Sequence, residues 1–202
     1  MSSPVSLPTL EGRGLLSVDV DFLLGGVREL GEHVAAVEET LLALVRRRVP
    51  CVFGDGHAEL GDHIDTRFDY AVNVDFHMDC RRAFLGGAAA TQRLHDSTVF
   101  EYLLGTDRVG RYVWAYPSTR HADVVGTLGA AFLKGSQPLL ARVHALPSET
   151  LPALLAGPPS IDMIFVCRSP DYSDEACFAW FDRLRALTAE ERCANRPINY
   201  CP

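Results

Sequence analysis

Positive charge is scarce in this chain. Its 202 residues include 19 lysines and arginines against 26 aspartates and glutamates, which gives a formal net charge of −7. A nucleic-acid partner normally requires a concentrated basic surface that neutralises phosphates. The one basic run, residues 46–48, closes a predicted helix, where arginines interact favourably with the negative helix end. We therefore expect no nucleic-acid partner.

Long apolar runs and paired cysteines are also missing. No apolar run reaches the roughly 18 residues that a membrane-spanning helix needs, and the first residues lack the pattern of a signal peptide. The six cysteines form no CxxC pair, and Cys51 and Cys167 lie in apolar runs where a free thiol behaves as a small hydrophobe. We expect a cytoplasmic protein in a reducing environment, without a membrane partner.

Apolar stretches alternate with segments of helical periodicity along one domain, residues 1–202, after an irregular lead-in at 1–13. The predicted strands are 14–22, 51–55, 71–76, 111–116, 160–168 and, as a further candidate, 141–146. The predicted helices are 26–48, 97–105 and 173–190, with further candidates at 121–134 and after Ser148. Residues 82–93 are predicted to form a loop or a loose turn of helix. This alternation predicts an α/β fold of three layers, with a mainly parallel sheet between helices.

Metal-ligand residue types end three of the predicted strands, in SVDVD (17–21), FGDGH (53–57) and NVDFHMD (73–79). Residues two apart on a strand point to the same side, and the carboxyl ends of parallel strands meet at the edge where ligands bind. A single DxD is common in turns, but burying acids around a histidine is costly without a cation. The predicted metal ligands are Asp19, Asp21, His57, Asp75, His77 and Asp79.

The donor types also indicate the metal. Carboxylate and imidazole without thiolate favour manganese or a similar divalent ion over structural zinc. The four aspartates would balance the charge of two such ions. Two ions at a distance of about 3.5–4 Å could hold a nucleophilic hydroxide at neutral pH.

The same three segments resemble motifs of the arginase/ureohydrolase superfamily. FGDGH is similar to its GGDH-type motif, VDFHMD to its DAHxD motif and SVDVD to its SxDxD motif, which here comes first, as in a circularly permuted chain. The segments GDGHAEL, NVDFHMD and RYVWAYP are more similar to the small arginase-like family that includes peptide arginases. The resemblance covers residues 14–117 well and the C-terminal strand loosely.

This resemblance implies an arginase-like fold, two Mn²⁺ ions and an activity. The implied activity is hydrolysis of arginine side chains in a ribosomally made precursor peptide, giving ornithine and urea. The implied ligands are His57, Asp75, Asp79 and Asp19 for the first ion, and His77, Asp75, Asp19 and Asp21 for the second, so that Asp19 and Asp75 would bridge. His95, in RLHDSTVFEYLL, resembles a conserved histidine of the superfamily and would carry protons; alternatively it is a surface histidine beside a helix.

The chain departs from the superfamily where larger arginases place a glutamate beneath the guanidinium. The segment SIDMIFVCRSP has valine, cysteine and arginine there, at 166–168. Asp171 or Glu175 could bind the substrate instead, although both could equally be acids of the first turn of the following helix. The acid that would bind the guanidinium is therefore not identified by the sequence.

Two other functions stay open on the sequence. One is hydrolysis of a small free guanidine or amide, and the other is binding of a metal or peptide without catalysis. The chain is much shorter than the larger arginases, and a short rim would suit an arginine presented on a peptide. The sequence leaves open which peptide is modified and whether copies of the chain form a homo-oligomer.

Overall fold

Six apolar stretches pair side by side into one sheet. The computed structural model describes residues 7–23, 31–80, 96–117, 141–155 and 160–194. The strands are β1 (Arg13–Asp19), β2 (Cys51–Gly54), β3 (Phe68–Val74), β4 (Val109–Tyr116), β5 (Val143–Pro147) and β6 (Ser160–Cys167). They lie in the order β2-β6-β1-β3-β4-β5, and every neighbouring pair is parallel.

Helices cover both faces of this sheet. They are α1 (Gly31–Arg46), α2 (Leu60–His63), α3 (Val99–Gly105), α4 (Leu151–Leu155) and α5 (Glu175–Ala194). Helices α1, α4 and α5 pack on one face, and α2 and α3 pack on the other. Single 3₁₀ turns span Val20–Leu23, His57–Glu59, Asp96–Thr98 and Ser148–Thr150. The predicted three-layer α/β fold is confirmed, and the sheet of the described residues is wholly parallel.

The central strand β1 shows why its sequence is apolar on both sides. Leu16 and Val18 point into the core beneath α1 and α5, whereas Leu15 points into the core beneath α2 and α3. All three side chains are fully buried, as expected for a parallel strand that is covered on both faces. Ser17 and Asp19 share the side of Leu15 because side chains alternate along a strand. The end of β1 therefore aims polar groups into a covered region.

Several predicted boundaries shift in the structure. Helix α1 ends at Arg46, and Arg48 adopts a left-handed φ of 66° that turns the chain towards β2. Arg46 also pairs with Glu191 of α5 at 2.6 Å. Helix α5 begins at Glu175 rather than Ser173, because the Asp174 carboxylate accepts the N–H of Cys177 at 3.0 Å and caps the first turn.

Some predictions fall on residues that the structure does not describe. The loop at 82–93, the helix candidate at 121–134 and the start of the 26–48 helix lie outside the described ranges. The strand candidate at 141–146 is observed as β5, and the helix candidate after Ser148 is observed as a 3₁₀ turn followed by α4. None of the helices in the described ranges is long and apolar enough to cross a membrane.

We expect Leu184→Ala to lower the free energy of unfolding by about 2–5 kcal/mol, because it leaves a cavity in a packed core. Leu184 of α5 is fully buried among residues of α1 and the sheet. Leu187 of the same helix is only half-buried, so Leu187→Ala is the matched control with a smaller loss. Chemical denaturation of both variants measures the difference. Equal losses would contradict the placement of α5.

Candidate metal centre

The six predicted ligands lie at the carboxyl edge of the sheet, as the sequence predicts. Asp19 is the last residue of β1, and Asp21 lies in the 3₁₀ turn that follows. The other acidic segment, residues 75–79, follows β3 directly. Strands β1 and β3 are neighbours in register, with Val18 opposite Val74, so both acidic segments leave the sheet side by side. His57 arrives from the turn after β2, on the far side of β6.

Glycines bring the His57 turn close to the sheet. A Cβ at Gly54 would lie 2.8 Å from a ring carbon of Phe165, and one at Gly56 would lie 3.2 Å from the Asp96 carboxylate. Gly56 itself is extended, with φ of −113°. Glycine is therefore needed here because the backbone approaches Phe165 and Asp96 closely.

Two groups of potential ligand atoms overlap in this region. One comprises Asp19, His57 and Asp75, and the other comprises Asp21, Asp75 and His77. Within each group the ligand atoms lie within 4.8 Å of one another. Asp75 belongs to both groups, and Asp79 joins the first through a distance of 2.7 Å from its Oδ2 to Nδ1 of His57. The described residues thus contain two buried Asp/His clusters that could hold metal ions.

Two buried atoms of the first group face each other without a well-aligned hydrogen bond. His57 Nδ1 and Asp79 Oδ2 lie 2.7 Å apart, the distance of an ion pair, but neither atom makes a well-aligned hydrogen bond. Carboxylate oxygens of Asp19 and Asp75 lie 3.5 Å and 3.8 Å from the same nitrogen. Buried polar atoms are normally satisfied. Potential ligand atoms that converge in this way, without well-aligned hydrogen bonds to each other, fit a cation between them.

The electrostatics of the centre also fit a cation. Burial, with a contribution from Asp21, raises the pKa of Asp19 to about 6, and burial raises the pKa of Asp75 well above its usual value. Burial alone would lower the pKa of His57, but Asp79 and Asp19 outweigh it and raise the pKa to about 10. Protons on these groups stand in for the positive charge that the buried carboxylates need.

The second group is more open than the first. The His77 side chain is 43% exposed, whereas that of Asp21 is buried, and His77 Nδ1 lies 2.7 Å from Asp21 Oδ2. Two hydrogen bonds from backbone N–H groups fix the segment that carries His77. The N–H of Phe76 donates to Asp21 at 3.2 Å, and the N–H of His77 donates to Asp75 at 2.6 Å. Solvent therefore reaches the centre from the His77 side.

Supporting residues orient the ligands, and the sequence did not single them out. Ser17 Oγ lies 2.7 Å from Nε2 of His57, which leaves Nδ1 to face the carboxylates. The Asn73 amide donates to Asp75 Oδ2 at 2.8 Å, and the Trp114 indole N–H donates to the Asp75 carbonyl at 2.9 Å. Asp96 accepts the N–H of Ala58 at 2.5 Å and anchors the His57 turn.

A sequence signal for these residues exists in hindsight. Ser17 continues the alternation of Asp19 and Asp21, and Asn73 is a polar residue inside an apolar strand. Tyr112 and Trp114 belong to RYVWAYP, one of the segments that carry the family resemblance. The Tyr112 hydroxyl donates to the Met78 carbonyl at 2.7 Å, so this segment holds the 75–79 turn.

Asp79 adopts a backbone conformation that side chains rarely take. Its φ is 48°, in the left-handed region, where aspartate is better tolerated than most residues. Such a conformation costs on the order of 1–3 kcal/mol and persists where the surroundings determine it. Here it directs the Asp79 carboxylate towards His57, which is consistent with a functional constraint at this position.

Of the remaining predicted site residues, the two that the structure describes, Asp171 and Glu175, are not part of the clusters. His95 lies outside the described residues. Asp171 and Glu175 are exposed, the first in the turn after β6 and the second in the first turn of α5. Cys167 is buried at the end of β6, and burial raises the pKa of its thiol, so it stays protonated rather than acting as a thiolate ligand.

We expect Asp75→Asn to remove both metal-binding events, because the Asp75 carboxylate belongs to both groups. Asp79→Asn should weaken binding at the first group alone, by roughly tenfold or more. Asp182→Asn, an exposed position on α5, is the control and should bind as the unaltered protein does. Titration with Mn²⁺ measures the stoichiometry, because the electron paramagnetic resonance signal reports the concentration of unbound ion. A fully occupied site in Asp75→Asn would contradict the shared carboxylate.

Metal binding is expected to release protons. His57, with a pKa raised to about 10, holds a proton at pH 7.5 in the metal-free protein, and a ligand nitrogen must lose it. We therefore expect metal binding at this pH to release the His57 proton, and the affinity to fall as the pH is lowered. Below about pH 6 protonation of Asp19 weakens binding further.

Calorimetry in two buffers of different ionisation enthalpy measures this release. His57→Gln is the matched variant, because it retains a polar side chain but carries no titratable proton. The expectation is wrong if the unaltered protein and His57→Gln release equal numbers of protons.

Comparisons with known proteins do not identify a family for this chain. No family model, no curated protein and no solved structure matches the chain. The likeness to arginases is therefore a resemblance of motifs, and what it implies about activity remains a proposal.

Proposed function

We propose that this chain is a manganese-dependent hydrolase that converts arginine side chains of a ribosomally made precursor peptide to ornithine and urea. The observation that carries the proposal is the pair of overlapping buried Asp/His groups that share Asp75. A buried acidic centre of this kind is costly to maintain without a bound cation. The motif resemblance supplies the substrate class.

Two Mn²⁺ ions fit the donor atoms. The groups offer carboxylate oxygens and imidazole nitrogens, which suit manganese, and the nearby Cys167 thiol remains protonated. Asp19, His57, Asp75 and Asp79 would hold one ion, and Asp21, Asp75 and His77 the other. The resemblance implies Asp19 as a second bridging ligand, whereas Asp75 is the residue that the two ligand groups of the described residues share. A pair of divalent ions supplies hydroxide at neutral pH and stabilises negative charge that develops in the transition state.

The residues of the chain would position the reaction around this pair. The water oxygen forms a bond to the guanidinium carbon, and the bond from that carbon to the side-chain nitrogen breaks. The leaving amine takes a proton and remains on the peptide as ornithine, while the carbon leaves as urea. His95 is the proposed proton carrier, and Asp171 and Glu175 are proposed contacts for the substrate at the rim.

The open side of the centre favours a substrate presented on a chain. His77 is the exposed member of the centre, whereas the side chains of the first group are buried. In this proposal a long side chain would approach past the exposed His77 while its backbone stays outside. An arginine within a peptide meets this requirement, since its reacting carbon lies at the end of a flexible stem.

The test is to incubate the manganese-loaded protein with arginine-containing peptides and to measure urea and ornithine. We expect turnover with the peptides, much slower turnover with free arginine or agmatine, and none in Asp75→Ala. The control Asp182→Asn should retain full activity, because the exposed Asp182 lies on α5, away from both groups. A clear preference for free arginine, or full activity in Asp75→Ala, would reject the proposal. Tight Mn²⁺ binding without urea from any substrate would favour a non-catalytic binding protein.

A further inference from the structure

One exposed aromatic side chain lies at the mouth of the centre. Among the residues that the structure describes, only Leu7 and Tyr172 are large hydrophobic residues with exposed side chains, at 38% and 47%. Leu7 lies before the start of β1 along the chain. Tyr172 lies in the turn that follows β6, on the same edge as the candidate metal centre. Its exposure therefore falls where a substrate would approach.

The Tyr172 ring contacts the exposed member of the centre. Its centroid lies 5.6 Å from that of the His77 ring, with the two planes at 60°. His77 in turn places Nδ1 at 2.7 Å from Asp21. Because the other ligands are buried, a side chain that enters from solvent passes His77 and hence the face or edge of Tyr172.

The turn that carries Tyr172 is well anchored. The N–H groups of Arg168 and Ser169 donate to carbonyls of the His57 turn, at Gly54 (3.0 Å) and Asp55 (2.9 Å). Ser169 has a left-handed φ of 50°, and its carbonyl accepts the N–H of Tyr172 at 3.0 Å. The backbone that carries Tyr172 is thus hydrogen-bonded to the segment that leads to His57. Because this backbone is already ordered, binding a ligand on the Tyr172 ring costs less conformational entropy.

The last residues of β6 carry no acid for a cationic substrate, and the acid of the following turn, Asp171, is exposed. Val166 and Cys167 are fully buried, and the residue that follows is itself a cation, Arg168. The Arg168 guanidinium lies 4.5 Å from the centroid of the Phe178 ring, so it is already stacked on an aromatic face in this turn. Aromatic rings attract guanidinium and ammonium groups through their negative faces. The same kind of contact is available to a substrate at Tyr172.

We propose that Tyr172 forms the wall of the substrate entrance and binds the cationic side chain of the incoming residue by cation–π contact. The aliphatic stem would lie along the ring and the charged end would point towards His77. That the cation is an arginine rests on the proposed function. The contact itself requires only a long cationic side chain.

The experiment measures the cation–π contact at Tyr172 independently of catalysis, because its probe is a cation that cannot release urea. The probes are N-acetyl-lysine N-methylamide and its uncharged counterpart, N-acetyl-norleucine N-methylamide, each titrated into the Mn²⁺-loaded protein and followed by NMR. The variants are Tyr172→Ala, Tyr172→Phe, which retains the ring, and Leu7→Ala, which removes the other exposed side chain. Mn²⁺ stoichiometry is measured for each.

We expect Tyr172→Ala to reduce the preference for the lysine probe by roughly two- to fivefold. Tyr172→Phe and Leu7→Ala should retain the preference, and all variants should bind Mn²⁺ equally. If arginine peptides are hydrolysed, Tyr172→Ala should raise KM by a similar factor and leave kcat nearly unchanged. An unchanged preference in Tyr172→Ala, or no preference in the unaltered protein, would overturn the inference. A Tyr172-dependent preference without urea release would reject only the proposed function.

Discussion

The need to neutralise buried negative charge at the ends of β1 and β3 governs this part of the structure. Four aspartates converge there with one fully buried and one half-exposed histidine. The raised pKa values of Asp19, Asp75 and His57 have this common origin, because each group must hold a proton or share a cation to remain in a covered site. Removing a ligand changes this balance of charge, so the ligands do not act as independent binding groups.

The surrounding fold is arranged to keep the charged groups in place. The parallel order of the strands brings β1 beside β3, and β6 links β1 to the strand that delivers His57. Neutral partners then fix the orientation of each ligand: Ser17 orients His57, while Asn73 and Trp114 hold Asp75 from its side chain and its carbonyl. Such partners set which ring nitrogen or oxygen faces a cation, and so they affect affinity without contacting it.

The two groups differ in exposure, so the centre is buried on one side and accessible to solvent on the other. The first is enclosed by Phe165, which is stacked on His57, and by Phe100, whose ring meets His57 edge-on. The second opens to solvent at His77 and Tyr172. The described residues thus enclose the first group and leave the second open to solvent. The proposed route for a substrate rests on this difference in exposure.

The sequence by itself determined the fold class and the six polar residues of the centre. Both follow from local rules, since the alternation of strands and helices predicts a parallel sheet and period-two spacing predicts which residues of a strand share a side. The sharing of Asp75, the pairing of Ser17 with His57 and the left-handed Asp79 were decided by the tertiary structure. These features depend on residues distant in sequence, such as the 40 positions between Ser17 and His57. Local sequence patterns do not specify distances between residues on different strands. These contacts could therefore be established only from the tertiary structure.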